Sequence, residues 1–124
     1  MKYAVVSDIH LGHPNTPSEH ITKNLVKYLL SERNTQLDVI FIAGDLFDRL
    51  LDLNNSSVHP ILDFIHKLVS YCSNYYIELR VLEGTPSHDW QQSRLILKIN
   101  ELLPKPASVK YFCALDIEYI PSIN

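Results

Sequence analysis

Three polar clusters, each placed directly after a short apolar run, constrain this sequence more than any other feature. The apolar runs cover residues 3–6, 37–43 and 75–82, and the clusters that follow them cover residues 7–13, 44–48 and 84–89. The first two runs are short and nearly continuous, which is typical of strands that are buried on both faces of a sheet, whereas residues 75–82 begin with alternation and end apolar. We therefore predict three strands, each with a polar cluster at its C-terminal end.

Helical periodicity alternates with these strands. Apolar residues fall on one helical face in residues 18–32, 57–71 and 89–103. The last of these helices is predicted to end before Pro104, and two further apolar runs, residues 109–113 and 116–120, predict strands. The alternation predicts an α/β fold, a layered sheet of mostly parallel strands flanked by helices and joined by right-handed crossovers.

The polar clusters contain carboxylates and imidazoles. In a parallel sheet the C-terminal strand ends lie along one edge, where open α/β proteins bind ligands. The topology therefore brings together Asp8, His10, Asp45 and His88, which are far apart in the sequence. Crowded carboxylates repel one another unless cations offset their charge, and imidazole beside carboxylate suits divalent transition metals. We predict a metal site.

Such a site has a characteristic chemistry. Two ions held roughly 3.5–4 Å apart can activate a water and stabilise the leaving oxygen in an in-line displacement at phosphorus. Hydrolysis of a phosphate ester is therefore the predicted reaction.

Composition limits the remaining classes. A chain of 124 residues with 46% hydrophobic residues suits one domain spanning residues 1–124, and a net charge of -3 argues weakly against non-specific nucleic-acid binding. The first apolar run is too short for a signal peptide or a membrane span, which predicts a cytoplasmic protein without membrane association. Cys72 and Cys113 lack the spacing of a metal site, and both are predicted to be buried in the protein as small hydrophobic residues. The protein is predicted to lie in a reducing compartment.

The three clusters resemble the first three motifs of the calcineurin-like metallophosphoesterases. The resemblance rests on Asp-Ile-His at residues 8–10, Gly-Asp-Leu-Phe-Asp at residues 44–48, and residues 84–89. The second motif, together with residues 118–121, is most similar to SbcD-type DNA repair exonuclease subunits, including their phage relatives. Only the N-terminal part of that pattern is present, which implies an incomplete calcineurin-like phosphoesterase fold.

The resemblance implies a role for each residue. Asp8 and His10 would bind a first metal ion, and Asp45 would bridge two ions. His88 would donate a proton to the phosphate or stabilise its charge, and Asp48 would orient His88. That pairing is chemically sensible because a carboxylate on one ring nitrogen raises imidazole basicity and sets which nitrogen faces the substrate.

The third motif departs from the family pattern. The family reads Gly-Asn-His followed by an acidic residue, and the asparagine binds the second metal. Here three residues separate Gly84 from His88, so that Ser87 precedes the histidine as a weaker candidate ligand. No histidine follows His88, although the family takes further ligands from a later histidine and a Gly-His-x-His motif. We therefore interpret the chain as a truncated domain, for which one ion is more credible than two.

The implied function is that of a metal-dependent phosphodiesterase, a DNA nuclease subunit that uses manganese, acts on DNA or another phosphate ester, and works with an SbcC-type ATPase. The first alternative is a catalytically incomplete remnant that binds at most one metal or a partner chain, with an unpaired sheet edge that favours a homodimer. The second is a receiver-like phosphotransfer domain, which His10 and His88 disfavour because such sites use oxygen ligands and a lysine.

Several nearby residues have simpler interpretations. Trp90 is predicted to pack against the sheet, with stacking on a nucleobase as the alternative. Asp89 is interpreted equally well as a helix N-cap or as a catalytic group. His59 and His66 fall on a helical pattern and are predicted to lie at the surface.

Overall fold

The computed structural model describes residues 1–121, so the last three residues of the predicted 1–124 domain lie outside the described part. Four strands form one sheet: β1 (Tyr3–Val6), β2 (Val39–Ala43), β3 (Glu78–Leu82) and β4 (Val109–Phe112). Each strand pairs in parallel with the next, in the spatial order β1-β2-β3-β4. The predicted α/β fold with a parallel sheet is therefore confirmed.

Four α-helices connect and flank the strands: α1 (Ser18–Tyr28), α2 (His59–Asn74), α3 (Pro86–Asp89) and α4 (Leu95–Glu101). Short 3-10 turns lie at Glu32–Asn34, Ser56–Val58 and Gln92–Arg94. Because right-handed crossovers between successive parallel strands all lie on one side of the sheet, α2 packs between α1 and α4. Across residues 1–121, every helix is too short or too polar to cross a membrane.

The hydrophobic core lies between this helical layer and the sheet. Side chains that alternate along the central strands, such as Ile42 and Val81, meet one face of α2, which contributes Phe64, Ile65 and Leu68. Each of these residues is at most 2% exposed. Burying a side chain of this kind stabilises the fold by about 1.5–3 kcal/mol, so this contact fixes where the strand ends stand.

Among residues 1–121, no helix lies on the opposite face of the sheet, and here the prediction of strands buried on both faces is wrong for β1. Tyr3 and Val5 are 63% and 56% exposed, whereas Ala4 and Val6 pack against the core. The physical reason is the sequential strand order, which places all crossovers on the other side.

Part of that open face is covered by the chain after β4. Arg80 of β3 is 6% exposed, and its guanidinium makes two hydrogen bonds to the carboxylate of Glu118, at 2.7 and 3.0 Å. Glu78 accepts a third hydrogen bond from Arg80, at 3.0 Å. The predicted strand at residues 116–120 is wrong, because these residues pair with no strand in the described part of the chain and are held by this ion pair instead.

Two other predictions are corrected by the structure. The single helix predicted for residues 89–103 is divided into α3, a 3-10 turn and α4, because Trp90 and Gln91 adopt left-handed backbone conformations. Cys72 is buried as predicted, but Cys113 is exposed because the chain has already left β4 at that position. His59 and His66 lie at the surface, as predicted.

Replacing Glu118 with glutamine should lower the free energy of unfolding by about 1–3 kcal/mol, because the nearly buried Arg80 loses a charged, two-point acceptor. The hydrogen bonds from Arg80 and then Lys110 hold the pKa of Glu118 below its ordinary value. The stabilisation is therefore complete above the ordinary glutamate range and is lost as pH falls through the lowered pKa.

Urea unfolding at neutral and at acidic pH measures this effect. The difference between wild type and Glu118→Gln should shrink in acid, where both side chains are neutral. Glu101→Gln, at the exposed end of α4, is the matched control. An unfolding difference that persists unchanged in acid would contradict the assigned ion pair.

Candidate metal centre

The loops that follow β1 and β2 run side by side and are joined by backbone hydrogen bonds. The N–H of His10 donates to the carbonyl of Asp45 at 3.1 Å, and the N–H of Leu11 donates to the carbonyl of Leu46 at 2.8 Å. An isolated parallel bridge between Leu11 and Phe47 continues the pairing beyond the strands. The first two polar clusters are therefore held at one edge of the sheet, as predicted from the strand order.

Apolar residues within these loops explain why the polar side chains point away from the core. Leu11, Leu46 and Phe47 are at most 1% exposed and belong to the core cluster. Because these three side chains are buried in the core, each loop is held in place. The neighbouring carboxylate and imidazole groups are directed toward the edge of the sheet.

The candidate ligands themselves stand on strained backbone. Asp8, His10 and Asp45 have φ values of 52°, 55° and 49°, a left-handed conformation that costs residues other than glycine roughly 1–2 kcal/mol each. Such conformations persist only where surrounding contacts determine them, and they cluster at functional sites. The left-handed backbone therefore orients three predicted ligands at a cost in folding free energy.

The third loop approaches the second through a glycine. A Cβ atom on Gly84 would overlap the backbone nitrogen and Oδ1 of Asp45 and would lie 2.8 Å from its Cα. Only a residue without a side chain allows this approach. Gly84 therefore brings the loop that carries His88 against Asp45.

Asp45 is held by that third loop. The N–H of Thr85 donates to Asp45 Oδ1 at 2.6 Å, and the Thr85 hydroxyl donates to Asp45 Oδ2 at 3.3 Å. The backbone hydrogen bond from Thr85 is the main reason that the pKa of Asp45 is below its ordinary value, and His88 and His10 contribute in the same direction. Asp45 is thus an anion fixed in one orientation.

His10 is oriented by Asp48. The ring atom Nδ1 of His10 lies 3.1 Å from Asp48 Oδ1, so this nitrogen carries the proton that it donates to the carboxylate. The other ring nitrogen, Nε2, is then free to bind a metal, and it lies 3.8 Å from Asp8 Oδ1. A carboxylate behind a metal-binding histidine is a common way of fixing its tautomer.

His88 completes a compact group. Its Nδ1 lies 3.8 Å from Asp45 Oδ2, and its ring packs edge-on against the ring of His10 with centroids 5.2 Å apart. One ligand atom from each of His10, Asp45 and His88 lies within 4.8 Å of the other two.

These donors fit a divalent cation. Within residues 1–121, Nδ1 of His88 is buried and has no hydrogen-bond partner, and burying a polar atom without a partner is unfavourable. Two imidazoles and a carboxylate suit a transition-metal ion. Asp8, next to His10 Nε2, offers a fourth ligand from a side chain that is 71% exposed.

The other residues considered in the sequence analysis lie outside this group of three ligands. Asp48 contacts His10, whereas the sequence interpretation paired it with His88. Ser87 is exposed in α3, and its predicted contact with a metal stays a prediction. Asp89 is fully buried as the last residue of α3 and not as a helix N-cap, and its carboxylate accepts hydrogen bonds from the backbone N–H and the hydroxyl of Ser93.

Thr85 is the site residue that the sequence interpretation missed. Counting back from His88 selects Ser87 as the counterpart of the family asparagine. Counting forward from Gly84 selects Thr85, which is the residue that contacts Asp45. The available signal was the glycine, since its close approach to Asp45 fixes the residue that follows it.

Replacing Asp48 with alanine should weaken metal binding by about 10- to 100-fold, because His10 loses the partner that sets its tautomer and ring orientation. Asp48→Asn should lose less, since an amide oxygen still accepts from Nδ1. Calorimetric titration with Mn²⁺ measures both affinities. Asp52→Ala, an exposed carboxylate in the same loop, serves as the control, and equal affinities for Asp48→Ala and wild type would refute the assigned role.

Comparison with known protein families identifies the family to which the chain belongs. The family model for calcineurin-like phosphoesterases matches residues 1–117, which is most of the chain. A search of curated proteins found no match. The matched region contains all three loops of the metal centre. The chain therefore belongs to the calcineurin-like phosphoesterase family, whose members use divalent metals to hydrolyse phosphate esters.

Proposed function

We propose that this protein is a metal-dependent phosphodiesterase that acts on DNA. The observation that carries the proposal is the convergence of ligand atoms from His10, Asp45 and His88 within 4.8 Å, with the carboxylate of Asp8 beside them. A divalent cation bound to these groups would supply Lewis-acid stabilisation of the negative charge on a phosphate ester.

The protein groups have separate tasks at this centre. Thr85 keeps Asp45 ionised and fixed through two hydrogen bonds, and Asp48 keeps the free nitrogen of His10 directed at the same point. Because these contacts exist before substrate binds, little reorganisation is needed at the moment of reaction.

His88 is suited to contact the substrate as well as the metal. Its side chain is 38% exposed, more than that of His10 or Asp45, so a phosphate can reach the imidazole from solvent. A metal-bound ring can donate a hydrogen bond from Nε2 to a phosphate oxygen, and a protonated ring that is not bound to the metal can give a proton to the leaving oxygen.

The finer features rest on the resemblance to SbcD-type subunits. The resemblance is carried by the Gly-Asp-Leu-Phe-Asp motif at residues 44–48 and by residues 118–121. It supports DNA as the substrate, manganese as the metal, an SbcC-type ATPase as the partner and the cytoplasm as the location. A homodimer is the alternative assembly.

Hydrolysis of bis-p-nitrophenyl phosphate and of linear DNA by the purified chain, with Mn²⁺ and with EDTA, tests the proposal. We expect hydrolysis that depends on Mn²⁺, and we expect His88→Ala to lower kcat by about 100-fold or more, as is usual for loss of a positioned proton donor. Metal affinity, measured by calorimetry, should fall less in His88→Ala, which loses one neutral ligand, than in a variant that lacks the negatively charged Asp45.

Two outcomes would overturn the assignment. Hydrolysis that survives EDTA, or that is unchanged in His88→Ala, would show that another group performs the chemistry. Metal binding without any hydrolysis would favour the alternative of a catalytically incomplete chain that binds one ion.

A further inference from the structure

The turn after α3 has an unusual backbone at a position beside the metal centre. Trp90 and Gln91 are both left-handed, with φ and ψ of 50° and 32° for Trp90 and of 60° and 17° for Gln91. Neither residue is a glycine, so both conformations carry a free-energy cost. Two in succession require surrounding contacts that impose them.

Buried polar side chains supply those contacts. Asp89 is fully buried and binds the backbone and hydroxyl of Ser93, which closes the turn on one side. Gln92 is 9% exposed, and its amide donates to the carbonyl of Arg49 at 2.7 Å and accepts from the N–H of Leu51 at 2.8 Å. The turn is therefore clamped to the loop that also carries Asp48.

The result of this arrangement is a fixed, exposed indole. Trp90 is 57% exposed, so the prediction that it packs against the sheet is wrong. Its Nε1–H donates to the carbonyl of Ser87 at 2.9 Å, which ties the ring to the turn that carries His88. An aromatic ring that is already held in place loses little conformational entropy when a ligand covers it.

The chemistry of the neighbouring metal centre limits the class of ligand that could contact Trp90. A phosphodiester bound at His88 presents a sugar and a base on either side of the phosphate, and any base offers a π-face to an aromatic ring. The net charge of -3 gives a polyanion little general attraction, so contacts to the base contribute a larger share of binding.

We propose that Trp90 stacks on an unpaired nucleobase next to the phosphodiester bound at the metal centre. This inference rests on the proposed function, because it names the part of the substrate that the protein recognises beside the phosphate. It predicts that single-stranded or frayed DNA is bound in preference to a fully paired duplex.

Trp90 is the single tryptophan of the chain, so the intrinsic tryptophan emission reports directly on this side chain. Titration of the full chain with a short oligothymidylate in the presence of Mn²⁺ should quench the emission. An abasic deoxyribose-phosphate oligomer of the same length should bind more weakly and leave the emission unchanged. Equal quenching by the two oligomers would overturn the inference.

Anisotropy of labelled oligomers measures the contribution of the ring. Trp90→Ala should weaken binding of the oligothymidylate by roughly 5- to 150-fold, the range expected for loss of one base stack, and should not change binding of the abasic oligomer. Trp90→Phe should retain most of the affinity. Tyr76→Ala removes an aromatic ring that is 74% exposed just before β3, at the opposite edge of the sheet, and should bind like wild type.

Failure of this inference can be separated from failure of the proposed function. Hydrolysis of bis-p-nitrophenyl phosphate together with wild-type affinity in Trp90→Ala would remove the stacking role and leave the phosphodiesterase assignment intact. Base-dependent quenching in the wild type and weaker binding of the oligothymidylate by Trp90→Ala, without any Mn²⁺-dependent hydrolysis, would support base stacking and remove the assigned reaction.

Discussion

Replacing Asp45 with alanine should weaken Mn²⁺ binding by more than about 100-fold, which is beyond the loss expected for a residue that only supports a ligand. Asp45 supplies the carboxylate of the cluster that it forms with His10 and His88, and the hydrogen bond from Thr85 lowers its pKa and keeps it ionised. Removing it takes away the fixed negative charge that offsets the cation. Hydrolysis should fall to background for the same reason.

Thermal or urea unfolding with and without Mn²⁺ measures this loss without relying on activity. At a free metal concentration 100 times the Kd, wild type should gain about 2.7 kcal/mol of stability, and Asp45→Ala should gain almost none. The metal-free variant should stay folded, because the Thr85 N–H that Asp45 accepts from is near solvent and can bind water.

Asp63→Ala is the matched control for this experiment. Asp63 lies on α2, its side chain is 61% exposed, and it pairs with Lys67 rather than with the site. The change in net charge is the same, so the metal-induced stabilisation should be retained. Equal losses in the two variants would mean that total charge, and not a ligand, governs metal binding.

Replacing Gly84 with alanine should both destabilise the protein, by about 1–3 kcal/mol, and abolish metal binding. The added Cβ would overlap Asp45 and cannot be relieved by a side-chain rotation, because backbone atoms are among those it meets. The loops that carry Asp45 and His88 must then separate. Urea unfolding and calorimetric titration with Mn²⁺ measure the two effects.

Gly44 provides a comparison that distinguishes close approach from backbone strain. Its φ is 91°, and a Cβ there would meet Gly84 Cα at an ordinary 3.6 Å. Asparagine tolerates a left-handed backbone better than alanine does, so Gly44→Asn should be milder than Gly44→Ala. At Gly84 the order should reverse, because asparagine is larger. The same order at both positions would contradict the overlap with Asp45.

The residues at the strand ends were predictable because two strong local signals agree. The apolar runs gave the strands, including the bounds of β1 at Tyr3–Val6, and the polar clusters followed them directly. Parallel topology then required Asp8, His10, Asp45 and His88 to meet at one edge, and three of them form the compact group of ligand atoms.

The errors arose where distant segments contact one another. The helix predicted for residues 89–103 has suitable periodicity, but Gln92 bonds to the loop after β2 and bends the chain at Trp90. The strand predicted for residues 116–120 has suitable alternation, but Glu118 forms an ion pair with Arg80 through two hydrogen bonds. Local pattern contains neither contact.

By itself, the sequence determined the alternation of strands and helices, the strand ends and the types of side chain that gather there, because these depend on periodicity and on the direction of parallel strands. Only the tertiary structure decided that Asp48 serves His10, that Thr85 holds Asp45 and that Trp90 faces solvent. Those pairings depend on how closely separate loops approach. That distance is set by the packing of buried residues such as Leu11 and Phe47 and by the space that Gly84 leaves free.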